Sequence, residues 1–450
     1  MKQKFLLLAA LAGGGGILGA QAQQLPNGGF ENWKGNGKCG QTIQASTTQG
    51  GPTDKETLQT RPGDEPSDWN GTSVRQKVYL EATEVLIFKK NDALHGNYAN
   101  LVNKYVTKFG IGANAPAYLT FGQPWSYAAT SNQDGGTVGG VAFTHKPDAI
   151  KGDFKRTLSK EKPEEKAHII VYMWNGTFTS KIGKEGGDAK MITKNNVDRA
   201  VLGKSNAGEV TGDGKLIAQC DYAFSTTKNN DWETIIVPIE YKDEHATPSM
   251  MNVIISSADY WTRGNIGKEN QLDVDNVEFI YYHALKSFTY DGVTKEIAEG
   301  QTEIDFSNTT YDANKALTYI KKGVGANVEV KTYNETDATL TIEVQGNDFA
   351  KNPNSKTTYT VQFAKPVSTT GKLSSLNVNG AEVLKADQFY YTVYGEYTDN
   401  SITWTAEDGD LAKVTSIYDP NKRTATVEVN AGQNTHTYFV KFAKEGIGSV

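Results

Sequence analysis

Between residues 77 and 256 the chain is cut into short runs rich in β-branched and aromatic residues, each closed by Gly, Pro, Asn or Asp, and this pattern favours strands throughout. The runs are 77–88, 117–121, 139–143, 167–173, 215–223, 232–239 and 251–256. Branched side chains lose rotamer freedom in a helix and pack well on a pleated surface, while the interrupting residues supply tight turns. Helical periodicity over more than about ten residues is hard to find outside the N-terminal segment. Residues 190–202 predict one short helix, with Asp198 and Arg199 on its exposed side. The expectation is an all-β protein built from sandwiches.

Two segments far apart in sequence frame the first sandwich. Leu25-Pro-Asn-Gly-Gly-Phe-Glu-Asn-Trp33 and Leu272-Asp-Val-Asp-Asn-Val-Glu-Phe-Ile-Tyr-Tyr282 each set acidic residues within a short β-pattern. If they are its first and last strands, they lie near each other and their carboxylates and loop carbonyls converge. Calcium takes six to eight hard oxygen ligands in flexible geometry. Glu31 and Asp275, with the carbonyls of Asn27 and Gly28 nearby, are therefore candidate ligands of one structural calcium ion. The alternative is that Asp273 and Asp275 face solvent on an edge strand while Glu31 caps the turn.

Lys2 and Lys4, the apolar stretch 5–12 and Ala20-Gln-Ala22 have the layout of a cleaved export signal, which makes residues 1–22 a leader and starts the mature chain near Gln23. No cysteine stands directly after the cleavage site, where residue 23 is Gln, so a lipid anchor is not signalled. Later apolar runs fall short of the roughly 18 to 20 residues that span a bilayer. The expected location is periplasmic, secreted or cell-surface. The 46 basic and 52 acidic residues are scattered, for a net charge of −6. Without a concentrated basic surface, nucleic acid is not an expected partner. Cys39 and Cys220 leave two readings open: they pair across a loop of about 180 residues in an oxidising compartment, or they stay free. Neither CxxC spacing nor a neighbouring histidine signals zinc or redox chemistry.

Six of the seven tryptophans precede residue 262, which sets residues 23–283 apart as one domain. The C-terminal remainder contains a repeat. Leu285-Lys-Ser-Phe-Thr-Tyr-Asp-Gly292 matches Leu373-Ser-Ser-Leu-Asn-Val-Asn-Gly380, and Tyr359-Thr-Val-Gln-Phe-Ala-Lys365 matches Tyr438-Phe-Val-Lys-Phe-Ala-Lys444. Each copy opens on a strand that runs into an Asp-Gly or Asn-Gly turn. Two tandem immunoglobulin-like sandwiches, residues 284–366 and 367–450, are the economical reading, with a joint near 366–372.

Four clusters place an aromatic beside polar loop residues: Trp69-Asn-Gly71, Trp125-Ser-Tyr127, Trp174-Asn-Gly176 and Tyr260-Trp-Thr-Arg263. Sugar rings present apolar faces ringed by hydroxyls, so a carbohydrate site pairs exposed aromatic rings with a few hydrogen-bonding groups. Trp69, Trp125, Tyr127, Trp174, Trp261 and Arg263 are the candidate ligand-binding residues, each against the alternative of core or rim packing. Catalytic residues are not indicated. The six histidines lack HExxH or His-x-His spacing, and there is no Gly-x-Ser-x-Gly elbow. His168 lies in a strand pattern and reads as a core histidine. Carboxylates are too plentiful for sequence to rank the pair a glycosidase needs.

The bookends, together with Gly139-Gly-Val-Ala-Phe-Thr-His-Lys-Pro147, Ile150-Lys-Gly-Asp-Phe154 and Pro248-Ser-Met-Met-Asn-Val-Ile-Ile-Ser-Ser257, resemble the putative carbohydrate metabolism domain family of exported Bacteroidetes proteins. The resemblance covers about residues 25–283 and implies a jelly roll like that of carbohydrate-binding modules. It implies glycan binding or handling, and it carries no catalytic residue onto this chain. By similarity to calcium-bearing jelly rolls, Glu31 and Asp275 stand where an ion would be held. Gly29 departs from that pattern, because those modules often have an acidic residue between Asn and Phe. The functional expectation is an exported, non-catalytic glycan-binding protein whose C-terminal sandwiches act as spacers. Its rivals are a structural or adhesive protein with cell-surface protein partners, and a glycoside hydrolase or lyase.

Overall fold

The computed structural model describes residues 24–45, 57–77, 81–129, 132–183, 191–262, 266–365, 370–432 and 434–444. The leader expected over residues 1–22 and Arg263 lie outside the described residues. The fold is all-β, as its sequence predicts. Among the described residues, no helix is long and apolar enough to cross a membrane. Two compact units emerge, one drawn from Met1–Lys286 with Tyr319–Val328 and Val344–Thr357, the other from Ser287–Thr318, Glu329–Glu343 and Thr358–Val450.

The first unit is a sandwich of two antiparallel sheets. Its strands in chain order are β1 (Ile87–Asp92), β2 (Gly96–Val102), β3 (Tyr118–Thr120), β4 (Val141–Ala142), β5 (Ala149–Thr157), β6 (Ala167–Asn175), β7 (Lys215–Phe224), β8 (Glu233–Pro238), β9 (Glu240–Tyr241), β10 (Met250–Ser256) and β11 (Gln271–Ile280). The front sheet runs β8-β5-β11-β2-β1, and the back sheet β4-β10-β6-β7-β9 with β3 also on β10. Between them lies the main core, which takes Ile150 and Phe154 from β5, Leu272, Val274, Val277 and Phe279 from β11, and Ile169, Val171 and Met173 from β6.

The outer faces of the two sheets differ, and strand composition shows why. Strand β6 is apolar on both faces: Ile170, Tyr172 and Trp174 point away from the main core into a second cluster with Tyr118, Val201, Ile254 and Tyr260. A strand covered on both sides reads as a continuous apolar run. An added layer covers it, built on the sheet formed by Asn132–Val138, Gln123–Ala129, Gln41–Gln44 and Thr57–Thr60, the hairpin Thr179–Ile182 with Ile192–Asn195, and the one-turn helix Asp198–Val201. The helix expected over 190–202 is thus mostly strand and turn, and Asp198 and Arg199 are buried rather than exposed. The front sheet alternates instead. Lys151, Asp153 and Lys155 of β5 and Gln271, Asp273 and Glu278 of β11 turn outward, so this face stays open.

The N-terminal bookend meets the C-terminal one, as expected, but as a turn. The Gln24 side chain pairs with the backbone of Phe279 through two hydrogen bonds of 2.7 Å, and the Val277 amide donates to Gly28 O at 2.8 Å. A Cβ on Gly28 would stand 1.9 Å from Val277 O, so only glycine fits there. Phe30, fully buried, plugs the end of the core. Opposite this turn β11 carries a bulge, with the register against β5 shifting between Lys151 and Asp153 and Asn276 at φ +50°. Cys39 and Cys220 are both buried and free, and burial pushes their thiols up to about 11 and about 12.

In the C-terminal part the repeat is visible as geometry. Leu285–Tyr290 pairs with Val293–Glu296, and Leu373–Val378 with Ala381–Glu382. The two-residue turns, Asp291-Gly292 and Asn379-Gly380, have positive φ at both positions, the type I′ signature. Each copy also holds a parallel pair, Glu303–Thr310 on Lys356–Ala364 and Tyr390–Tyr394 on Asn434–Ala443.

Candidate functional site

Most of the aromatics that stand out in sequence lie in the interior. Trp69 is fully buried, donates Nε1 to Pro26 O at 3.0 Å and packs on Phe30 and Phe121. Trp125 and Tyr127 belong to the added layer and are buried in its own core, where the Arg199 guanidinium sits 5.1 Å from the Trp125 ring. Trp174 is fully buried and stacks on Tyr172. None of these four offers a ring face to a ligand, because the added layer covers the back sheet and the bookend turn covers Trp69. Trp261 is half-buried: Nε1 donates to Asp221 Oδ2 at 2.8 Å and Lys204 Nζ lies 4.2 Å over its ring. Nearby, His168 stands 3.4 Å from both Asp221 and Asp259, so it is a paired histidine at the edge of the covered face.

The open face of the front sheet carries a different set. Trp232, just before β8, stacks on His95 with ring centroids 4.0 Å apart and meets Tyr98 of β2 edge-on at 5.1 Å. His95 is oriented by the tight turn between β1 and β2, where Asp92 Oδ1 accepts the amides of Leu94 and His95 at 2.9 and 2.8 Å and stands 3.3 Å from Nδ1. Beside the rings, Asn100 of β2 donates to Asp273 Oδ1 at 2.6 Å and to Gln271 Oε1 at 3.3 Å. Burial holds Asp273 above the usual carboxylate range despite that bond. Further along the same face, Asn276 Nδ2 donates to Asp153 Oδ2 at 3.0 Å, and Thr234 donates to Asp153 Oδ1. Beyond them lies a shallow, open groove of about 700 Å³, lined among others by Gly28, Gly29, Lys151, Asp153 and Ile236.

Between the aromatic trio and the groove sits Asp275. It pairs across the strands with Asp153, is 1% exposed, and among the described residues no side chain hydrogen-bonds either carboxylate oxygen. Burial pushes its pKa up to about 7, with Asp153 and Glu31 adding to the rise and the Asn276 amide and His95 opposing it. Glu31, its expected co-ligand, is turned instead to Asn97, accepting from Nδ2 at 2.9 Å and from the amide at 3.3 Å. Among the described residues no three His, Cys, Asp or Glu side chains gather closely enough to hold a metal ion. Of the two carboxylates expected to hold a calcium ion, Asp275 is buried without a side-chain partner among the described residues and Glu31 is engaged by Asn97. His95, Tyr98 and Trp232 do not stand out as ligand residues in the sequence, because nothing local marks them. The two signals within reach are the strand alternation of β11 and the tight turn at Asp92.

No family model and no curated protein matches the chain. Among solved structures it is similar to a putative glycoside hydrolase from Bacteroides thetaiotaomicron, at 14% identity and a TM-score of 0.27 over 53% of this chain and 71% of that one. A second, a putative glycoside hydrolase from Bacteroides vulgatus, aligns at 13% identity and a TM-score of 0.28 over 54% of this chain and 98% of that one.

Proposed function

We propose that the chain is an exported, non-catalytic carbohydrate-binding protein that holds a glycan on the open face of its front sheet, with the C-terminal sandwiches as spacers. The observation that carries this reading is the Trp232–His95–Tyr98 trio beside Asn100, Gln271 and Asp273. Apolar ring faces next to a few fixed hydrogen-bonding groups are what a sugar's C–H face and hydroxyl rim require. Titration of the full chain against a panel of polysaccharides tests it. Binding is expected, with Trp232→Ala weakening it at least tenfold while leaving Tm within a few degrees. A panel that gives no binding refutes the reading.

A hydrolase is the second reading, favoured by one observation: Asp275 holds its proton up to about pH 7 beside Asp153, which is the division of labour an acid and a base need. Its burial argues against contact with a scissile bond. Release of reducing ends that Asp275→Asn abolishes would establish it, and binding without release would remove it.

A further inference from the structure

The charge on the open face points to a particular class of sugar, given the carbohydrate reading above. Two of its lysines are already engaged by acids of the same face: Lys151 with Glu278 at 2.6 Å and Lys155 with Asp231 at 3.3 Å. What remains is an excess of carboxylates, namely Asp92, Asp153, Asp273 and Asp275 with Glu31 at the margin. Lys155, Lys90 and His95 are the basic groups that stand near them. Within this set Asp275 is the exception. It is only 1% exposed, sits on β11 between Asp273 and Glu278, and among the described residues has no side-chain hydrogen-bond partner for either carboxylate oxygen. A carboxylate that is buried and unsatisfied lowers its energy when a cation settles nearby. The ring faces of Trp232 and Tyr98 offer the same cation a second attraction.

We propose that this face selects a glycan bearing a protonated amine, an amino sugar, over its N-acetylated or carboxylate-bearing counterparts. The ammonium group lies against the outward-turned Asp273 and Asp153, over the buried Asp275 between them, and the sugar ring lies on the aromatic trio. A uronate would bring like charge to this row and be rejected. Binding is coupled to a proton: at about pH 6 Asp275 is largely protonated, and the arriving cation drives that proton off.

Isothermal titration of the full chain at about pH 6, with fully deacetylated glucosamine oligomers, the same oligomers N-acetylated, and an oligogalacturonate, tests the proposal. The deacetylated oligomer is expected to bind at least about tenfold more tightly than the acetylated one, with no detectable uronate binding. Its heat should change with the ionisation enthalpy of the buffer, and Asp275→Asn should remove that dependence. Asp273→Asn should shrink the preference without abolishing binding of the acetylated form. Equal binding of the two oligomers overturns this inference and leaves the carbohydrate reading standing, whereas silence toward all three overturns both.

Discussion

Asp275 and Glu65 are buried to nearly the same degree, at 1% and 2% exposure, yet their carboxylates behave in opposite ways. Burial alone would raise both. Glu65 is held below its ordinary value because Arg61 binds it at 3.0 Å through both Nε and Nη2, while Lys34 and the amides of Gly40 and Gly71 complete its shell. Asp275 has no such shell. Glu65→Ala should therefore cost about 3–5 kcal/mol, since it strands the Arg61 guanidinium in the interior; urea denaturation measures it. For Asp275 the sign is reversed. Its folded pKa, about 7, lies above the unfolded value near 3.8, so the native state binds more protons across that window and stability falls as pH rises through it. The loss should level off above about pH 7, reaching at most about 4 kcal/mol. Asp275→Asn should flatten the Tm-versus-pH curve between those limits; an unchanged slope would show that the group ionises freely. Neither contrast was legible in the sequence, where both residues are acids beside β-patterns.

At the scale of elements, the bookends show how much a motif can and cannot say. That residues 25–33 and 272–282 meet followed from their patterns, but the form of the meeting did not. Gln24 and Gly28 dock on β11 through side-chain and carbonyl hydrogen bonds, and the bulge at Asn276 makes room for them. Gly28→Ala would drive a methyl group into Val277 O and should cost about 1–3 kcal/mol, read as a drop in Tm, with the turn more open to protease. The type I′ turns of the C-terminal repeat were fully legible, because Asp-Gly and Asn-Gly carry their backbone conformation with them. Strand β2 was not. Its Gly96-Asn-Tyr start is weak in local signal, and it becomes a strand through its register with β1 and β11.

For the whole molecule, the two sheets of the first unit differ in what covers them, and this decides where a ligand can sit. The added layer covers Trp174 and buries its own Trp125 and Tyr127, so aromatic clusters that stand out in sequence became interior packing. The open front sheet gathered residues from four separate segments, His95, Tyr98, Trp232 and Asp273 among them. The same architecture keeps the two thiols apart from solvent and unpaired. Native protein should react slowly with a thiol reagent and release two thiols per chain in denaturant; a single mass two hydrogens lighter, with no thiols, would contradict this.

The sequence by itself determined the class of the fold, the all-β character and the tandem C-terminal turns, because strand alternation and Asn-Gly chemistry act over a few neighbouring residues. It also determined that the two bookends belong together. Which faces are dry and which are wet was decided only by tertiary structure. An exposed ring and a buried one have the same local sequence, and the difference lies in a layer contributed by strands dozens of residues away. The buried carboxylate of Asp275 is of the same kind: its environment is set by Asp153, Glu31 and His95, brought to it from other segments.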